Sequence, residues 1–241
     1  MKTIVIGDIH GGFRAITQLF EKLNPTSEDH FIFLGDYVDG WSESVEVITY
    51  LIALQEEYTC TFLRGNHDQL CYQWLLSKEV LPEWSANGGE STIKSYASSN
   101  ISQLETHVAF FKNLKNYYID ASNRLFIHAG FTNQHGPESE YFEKMYYWDR
   151  TLWELAIALN PNLSKDSLLY PKRLQHFNEI FIGHTPVTKI DKTTPIQAAN
   201  VWNVDTGAAF KGKITAMDID SKEWWQSDPV YTLYPDEQGR N

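Results

Sequence analysis

The chain has 241 residues, 42% hydrophobic and 21% charged, the balance of a globular protein with a sizeable core. A net charge of −11 argues against a nucleic-acid partner, and no apolar run approaches the roughly 18 residues of a membrane span. The opening Met1-Lys2-Thr3-Ile4-Val5-Ile6 lacks the apolar region and cleavage site of a leader, so the expected location is the cytoplasm.

No repeat, low-complexity stretch or Pro/Gly/Ser-rich linker divides the chain, and residues 1–241 are expected to form one domain. Residues 3–6 are a short apolar run, the pattern of a strand covered on both faces. Phe13, Ile16, Leu19, Phe20 and Leu23 then recur at helical spacing, and Pro25 stops that helix. Residues 31–34 read as a second strand, and Val45, Ile48, Leu51, Ile52 and Gln55 as a second helix. Residues 59–63 make a third strand and 69–76 a third helix. Strand and helix in alternation predict a mixed α/β sheet with parallel strands. Cys60 and Cys71 fall within these elements at a spacing that fits no thiolate metal motif, and are expected to be buried, reduced thiols.

Residues 80–118, with Pro82, Trp84 and Asn87-Gly88-Gly89, read as a helical insertion, and 124–127 as a strand. Residues 138–178 are helical and irregular. Strands dominate afterwards, at 179–182, 201–204, 213–217 and 223–226. From Pro229 onward, residues 229–241 read as a loosely held tail.

The chemistry lies where strands end. The first runs into Gly7-Asp8-Ile9-His10-Gly11, the second into Gly35-Asp36-Tyr37-Val38-Asp39-Gly40 and the third into Arg64-Gly65-Asn66-His67-Asp68. Later strands run into His128-Ala129-Gly130 and Gly183-His184-Thr185. In α/β sheets, ligands bind at such strand ends. Asp8, His10, Asp36, Asn66, His128 and His184 are oxygen and imidazole donors, which suit Mn, Fe, Zn or Ni, and no thiolate joins them. That set exceeds the need of one ion with open positions and suits two ions sharing a carboxylate, able to clamp a phosphate and acidify water. Singly, each motif has a plain explanation as a capped turn, an ordinary loop or a core histidine. All of them in order, each after an apolar strand, are hard to obtain by chance.

Together these motifs resemble the calcineurin-like metallophosphoesterases, and within them the phosphoprotein phosphatase family, from Asp8 to about Gly207. Bacterial members of that family are similar both to serine/threonine phosphatases and to symmetrical diadenosine-tetraphosphate hydrolases, and the short motifs here look bacterial. The resemblance implies a four-layer αββα sandwich of two mixed β-sheets flanked by helices. It implies that Asp8, His10 and His184 bind one metal, that Asp36 bridges two, and that Asn66 and His128 complete the second, with manganese foremost. His67 would protonate the leaving oxygen, and Asp39 would hold it charged and in one tautomer. The implied reaction is one in-line displacement by a metal-bridging hydroxide, with no phosphoenzyme.

One position departs from the family. Its second motif carries a phosphate-gripping arginine after the second Asp, where this chain has Gly40 and then Trp41. Arg150, in Trp148-Asp149-Arg150, and Arg64 are the candidates to replace it, with Arg14 behind them. The plainer reading of Arg150 is a salt bridge to Asp149, and of Arg64 a structural hydrogen bond. Asn87 lies in a segment resembling the family's active-site rim, where it contacts substrate or caps a helix. Tyr37, Trp41 and Trp148 either wall the pocket or pack in the core. Asp205-Thr206-Gly207 reads as a structural turn near the site. The expected substrate is a phosphorylated protein or small molecule. Phosphoserine and phosphothreonine, with phosphotyrosine beside them, come first, and a dinucleoside tetraphosphate or other nucleotide second. A catalytically dead phosphoprotein-binding module is the reading from another class.

Overall fold

A computed structural model describes residues 1–97 and 99–240. The first half runs β1 (Thr3–Ile6), α1 (Phe13–Leu23), β2 (His30–Phe33), α2 (Ser44–Glu57), β3 (Thr59–Phe62) and α3 (Asn66–Ser77). It continues through α4 (Pro82–Trp84), a kinked turn at Ser85–Gly89, α5 (Glu90–Tyr96) and α6 (Ile101–Lys112). The second half holds β4 (Tyr117–Ile119), β5 (Arg124–Ile127), α7 (Met145–Trp148), α8 (Thr151–Ala158), α9 (Lys172–Gln175) and β6 (Glu179–Ile182). It ends with β7 (Ile196–Ala198), β8 (Val201–Asn203), β9 (Thr215–Asp218), β10 (Trp224–Gln226) and α10 (Val230–Leu233).

The strands form two mixed five-stranded sheets, ordered β10-β9-β1-β2-β3 and β4-β5-β6-β8-β7. In the first, β1, β2 and β3 run parallel with β3 at the edge, β9 is antiparallel to β1 and β10 to β9. In the second, β5, β6 and β8 run parallel at the centre between antiparallel β4 and β7. The period of two along a strand explains the continuous apolar runs, since both faces are covered. Val5 and Ile32 face the other sheet, where they meet Phe126, Phe181 and Val204, and the rings of Phe126 and Phe181 stack at 4.9 Å. Ile4, Ile6, Phe31 and Phe33 face the opposite way, onto Ile16, Leu19 and Phe20 of α1 and Ile48 and Leu51 of α2. In the second sheet, Leu125, Ile127, Ile180 and Ile182 pack outward on Leu152 and Trp153 of α8 and Leu174 of α9. Each fully buried side chain of this size stabilises the fold by about 1.5–3 kcal/mol. The result is two sheets face to face between helical layers, the calcineurin-like α/β architecture.

Four details differ from the sequence reading. Helix α3 starts at Asn66 instead of residue 69, because the Asp68 carboxylate accepts the Gly65 amide at 2.8 Å and Asp36 accepts that of His67 at 2.9 Å. Tyr117 and Tyr118, placed at the end of the helical insertion, belong with Ile119 to β4, an edge strand antiparallel to β5. The short edge strand β7 follows Pro195 and was not foreseen. The segment from Pro229 is anchored instead of loose. Val230 and Tyr234 are fully buried, and the Tyr234 ring stacks on Trp41 at 5.2 Å.

Candidate active site

The donor-bearing loops converge at one end of the parallel strands. Asp8 and His10 follow β1, Asp36 and Asp39 follow β2, and Asn66 and His67 open α3. His128 follows β5 and His184 follows β6. His10, Asp36, Asp39 and His184 take left-handed backbone conformations, with φ of 53°, 55°, 71° and 67°. Such strain in non-glycine residues persists only where surrounding contacts over-determine it, and it gathers at functional sites. Two glycines let the carboxylates in: a Cβ at Gly183 would lie 2.2 Å from Asp8 Oδ1, and one at Gly65 2.1 Å from Asp36 Oδ1.

Backbone carbonyls set the imidazole tautomers. His10 Nδ1 donates to the carbonyls of Asp39 at 2.9 Å and Val38 at 3.2 Å, so Nε2 is free and lies 3.7 Å from Asp8 and 3.6 Å from Asp36. His128 Nδ1 donates to the Leu34 carbonyl at 2.9 Å, which turns Nε2 toward Asp36 at 3.4 Å and Asn66 Oδ1 at 3.3 Å. His184 places Nδ1 2.9 Å from Asn66 Oδ1, while its Nε2 is buried without a hydrogen-bond partner. This is how proteins orient metal-binding histidines. Among the described residues, two donor groups have their ligand atoms within 4.8 Å of one another: His10, Asp36 and His67, and Asp36, His128 and His184. Asp36 is common to both.

The electrostatics point the same way. Burial, then the charges of Asp205 and Asp36, push the Asp8 carboxyl well above its ordinary range. Burial also opposes charge on Asp36, but His128, His67 and His10 outweigh it and hold that carboxyl well below its usual value. Burial lowers the pKa of His184 and of His10, helped at His10 by Arg240 and His67. Crowded carboxylates, an orphaned imidazole nitrogen and imidazoles kept neutral fit divalent cations, which would relieve each of these tensions.

His67 stands beside the cluster with a separate partner. Its Nδ1 donates to Asp39 Oδ2 at 2.6 Å. Asp39 is fully buried and also accepts the Trp84 indole N–H and the Thr92 hydroxyl, both at 2.6 Å. With its oxygens so occupied, Asp39 can only accept from His67, which leaves Nε2 for the adjoining cavity. That cavity, of about 410 Å³, has Asp36, Asn66, His67 and His184 on its floor. Leu70, Leu81 and Trp84 form one wall, and Trp148, Arg150, Asn87 and Arg240 form the rim. Another cavity of about 300 Å³, between α2, β3 and α6, holds no comparable donor cluster.

The structure sorts the remaining candidates. Arg150 reaches the rim and donates to Thr185 Oγ1 at 3.0 Å, while Asp149 caps α8 through the Thr151 and Leu152 amides and faces Arg173 instead. Arg64 is a correction: it lies outside the cavity, donating to Gln69 Oε1 at 2.5 Å and to the Phe111 carbonyl at 3.0 Å. The β3–α3 connection needs those bonds because α6 ends against it. Arg14 pairs with Glu43 at 3.1 Å, away from the cavity. Asn87 borders the cavity, but its Nδ2 donates to the Glu83 carbonyl at 2.7 Å and it caps no helix N-terminus. Tyr37 and Trp41 are core residues, whereas Trp148 is 44% exposed.

Sequence reasoning gave no role to Asp68, Thr92, Trp84 or Arg240. Asp68 accepts the amides of Asp36 at 2.7 Å and Tyr37 at 2.8 Å and so holds the β2 loop, with burial and the Asp36 charge pushing its pKa up to about 7. Its signal was the strand-end motif that contains it. Thr92 and Trp84 come from the insertion and carried no local signal.

A family model described as calcineurin-like phosphoesterase matches residues 1–211. The chain therefore belongs to this family of metal-dependent phosphoester hydrolases. It is 28% identical, over 88% of each chain, to the asymmetrical bis(5'-nucleosyl)-tetraphosphatase PrpE of Geobacillus thermodenitrificans. Its fold is similar to that of a putative diadenosine tetraphosphatase, with a TM-score of 0.63 at 15% identity over 93% of this chain and 92% of the other. It is also similar in fold to a protein serine/threonine phosphatase from Saccharomyces cerevisiae, with a TM-score of 0.61 at 16% identity over 95% and 80%.

Proposed function

We propose that the chain hydrolyses phosphate esters and anhydrides at a site for two divalent cations, with dinucleoside polyphosphates as the favoured substrates. The observation that carries the chemistry is the meeting of two donor groups on the single carboxylate of Asp36. Asp8 and His10 would hold one ion, and Asn66 and His128 the other. His184 touches both sides, its backbone amide on Asp8 at 3.1 Å and its ring on Asn66 at 2.9 Å. Bound there, the ions supply Lewis acidity and lower the pKa of water. Manganese suits the mixed carboxylate and imidazole set, as do Fe, Zn and Ni.

The side chains supply the rest. His67, oriented by Asp39, gives its Nε2 proton to the departing oxygen, a contribution of roughly 10²–10⁴-fold in general acid catalysis. Arg150 neutralises phosphate oxygens from the rim. Leu70, Leu81 and Trp84 give one side of the cavity apolar surface, beside the carboxylate of Glu83.

The nucleotide reading is supported by the relative that aligns over most of both chains and by the exposed Trp148 indole beside Arg150, a surface on which a base can stack. The Asp39–His67 pair favours a second reading, phosphoserine or phosphothreonine in proteins. An alkoxide leaving group needs a proton far more than a nucleotide phosphate does. The catalytically dead module has no support, since every donor and the acid pair stand in place.

Chelator-stripped protein, reloaded with manganese, should release product from p-nitrophenyl phosphate only when reloaded. Its kcat/KM should be higher for diadenosine tetraphosphate than for phosphopeptides. The products distinguish asymmetrical cleavage, the kind in the relative's name, from the symmetrical cleavage of the alternative expected from sequence. Faster phosphopeptide turnover would install the second reading, and no turnover of any substrate would sink both.

A further inference from the structure

We infer that Arg240 is a substrate-binding residue, carried into the active site by the C-terminal segment to grip the phosphate of the substrate. The inference rests on the phosphoesterase reading above and assigns one of its contacts to a part of the chain far from the strand-end motifs.

The segment is fixed along its length. The Tyr234 ring lies on Trp41, and its hydroxyl accepts the Arg14 amide at 3.1 Å and donates to Glu43. Glu237 accepts the Ser42 amide at 3.0 Å and the Ser42 hydroxyl at 2.6 Å. The Arg240 amide donates to the Ala209 carbonyl at 2.8 Å. At Gly239 the backbone lies so close to the Trp41 indole that a Cβ would stand 2.8 Å from the ring. Trp41, Ser42 and Glu43 belong to the loop that follows Asp39. The segment is therefore tied to the loop that carries the bridging carboxylate and the partner of His67.

This path aims the Arg240 side chain into the cavity. Its stem passes between two glycines. A Cβ at Gly40 would lie 3.3 Å from Arg240 Cγ, and one at Gly88 would lie 2.9 Å from it. Larger side chains at those positions would fill the channel through which it passes. Gly40 is the very position at which the chain departs from its family's arginine, so the loop has lost a side chain where the tail brings in a guanidinium.

The guanidinium reaches a cavity whose floor holds His67 and Asp36. Its Nε is buried and has no hydrogen-bond partner among the described residues, and none of them forms an ion pair with it. Its carbon lies 5.6 Å from the Phe210 ring, which holds the planar group without using its N–H donors. Arg64 also has an unpaired Nε, but its other nitrogens are bound to Gln69 and to main-chain carbonyls outside the cavity. A donor-rich cation with a buried, unpartnered Nε at a phosphoester site is matched by two oxygens of a phosphoryl group, which a guanidinium binds in bidentate fashion.

The experiment compares manganese-loaded wild type with Arg240→Ala and Arg240→Lys. Orthophosphate binding by calorimetry, metal content and thermal stability are measured beside turnover of p-nitrophenyl phosphate. The inference expects Arg240→Ala to keep its metal and Tm, to bind orthophosphate ~10-fold more weakly and to lose ~30-fold or more in kcat/KM. Arg240→Lys should recover only part, because an ammonium is a point charge without the planar fork. Glu237→Ala, which frees the segment from Ser42, should show a smaller loss of the same kind. If wild type turns over and Arg240→Ala matches it within twofold in both phosphate binding and kcat/KM, the role of Arg240 is overturned while the phosphoesterase reading stands. A variant that loses Tm or metal but binds phosphate as tightly as wild type also overturns it. A wild type that hydrolyses no ester removes the underlying reading and this inference with it.

Discussion

Asp36, Asn66, His67 and His184 on the cavity floor are only 2%, 3%, 3% and 7% exposed, whereas Trp148 on the rim is 44% exposed. The floor is set by short loops leaving parallel strands, so neighbouring sheet positions bring the donors together with no long-range choice to make. The rim is assembled from the end of α7, Arg150 two residues on, the kinked turn near Asn87 and the C-terminal segment, which meet only after the chain has folded. Floor residues also carry strained backbone and orphaned or crowded polar groups. Rim residues other than Arg240 make ordinary surface hydrogen bonds, such as that of Arg150 to Thr185. In the proposed function the reaction belongs to the floor and the choice of substrate to the rim, and each half can be tested separately.

The largest effect should come from the floor. His67→Asn removes the proton donor but leaves Asp39 its bonds from Thr92 and Trp84. Turnover of alkyl phosphates should fall ~100-fold or more, with a smaller loss for p-nitrophenyl phosphate, whose leaving group needs little protonation. Metal content should not change. His67 also belongs to the donor group of His10 and Asp36, so loss of bound metal in this variant would make it a ligand and overturn its role as the acid.

The rim should respond more weakly and in a different parameter. Arg150→Ala removes a guanidinium that is held only by Thr185. A loss of ~10-fold in kcat/KM, mostly in KM and with kcat nearly kept, is expected for a contact made equally to the bound substrate and its transition state. A loss confined to kcat would move Arg150 into the reaction itself and erase the division between floor and rim.

This division also accounts for what could be read in the sequence. All six donors expected to hold metal, and His67 with Asp39, lie in motifs of a few residues each, at the ends of strands whose apolar runs are themselves visible. The glycines and aspartates there are local requirements, so local pattern suffices. Arg64 misled because adjacency to Gly65-Asn66-His67 says nothing of side-chain direction: Asn66 and His67 face the cavity while Arg64 turns back to the end of α6. Thr92, Trp84 and Arg240 act through contacts across 53, 45 and about 200 residues of sequence, which no pattern on a single chain encodes. The segment after Pro229 read as loose because it is short and polar, and its apolar hold on the fold rests on buried Val230 and Tyr234 with Leu233 packed beside them.

The smallest effect isolates what burial does to a histidine where no carboxylate assists it. His128 in the donor cluster is fully buried, and burial disfavours its charge, yet the Asp36 carboxylate raises its pKa above the ordinary value. His107 on α6 is also buried, but its ring nitrogens meet the Tyr96 hydroxyl at 2.8 Å and the Thr49 hydroxyl at 3.1 Å, and burial lowers its pKa from 6.5 to about 4. As pH falls below 6.5, the unfolded chain takes up a proton that folded His107 refuses. Its contribution is therefore whole above pH 6.5 and is lost progressively toward pH 4. Thermal unfolding followed across that window should show a falling Tm, with a shallower slope in His107→Gln, whose amide titrates nowhere in the range. An unchanged slope in that variant would assign the acid sensitivity to the donor cluster, where protonation of the neutral histidines His10 and His184 acts in the same direction.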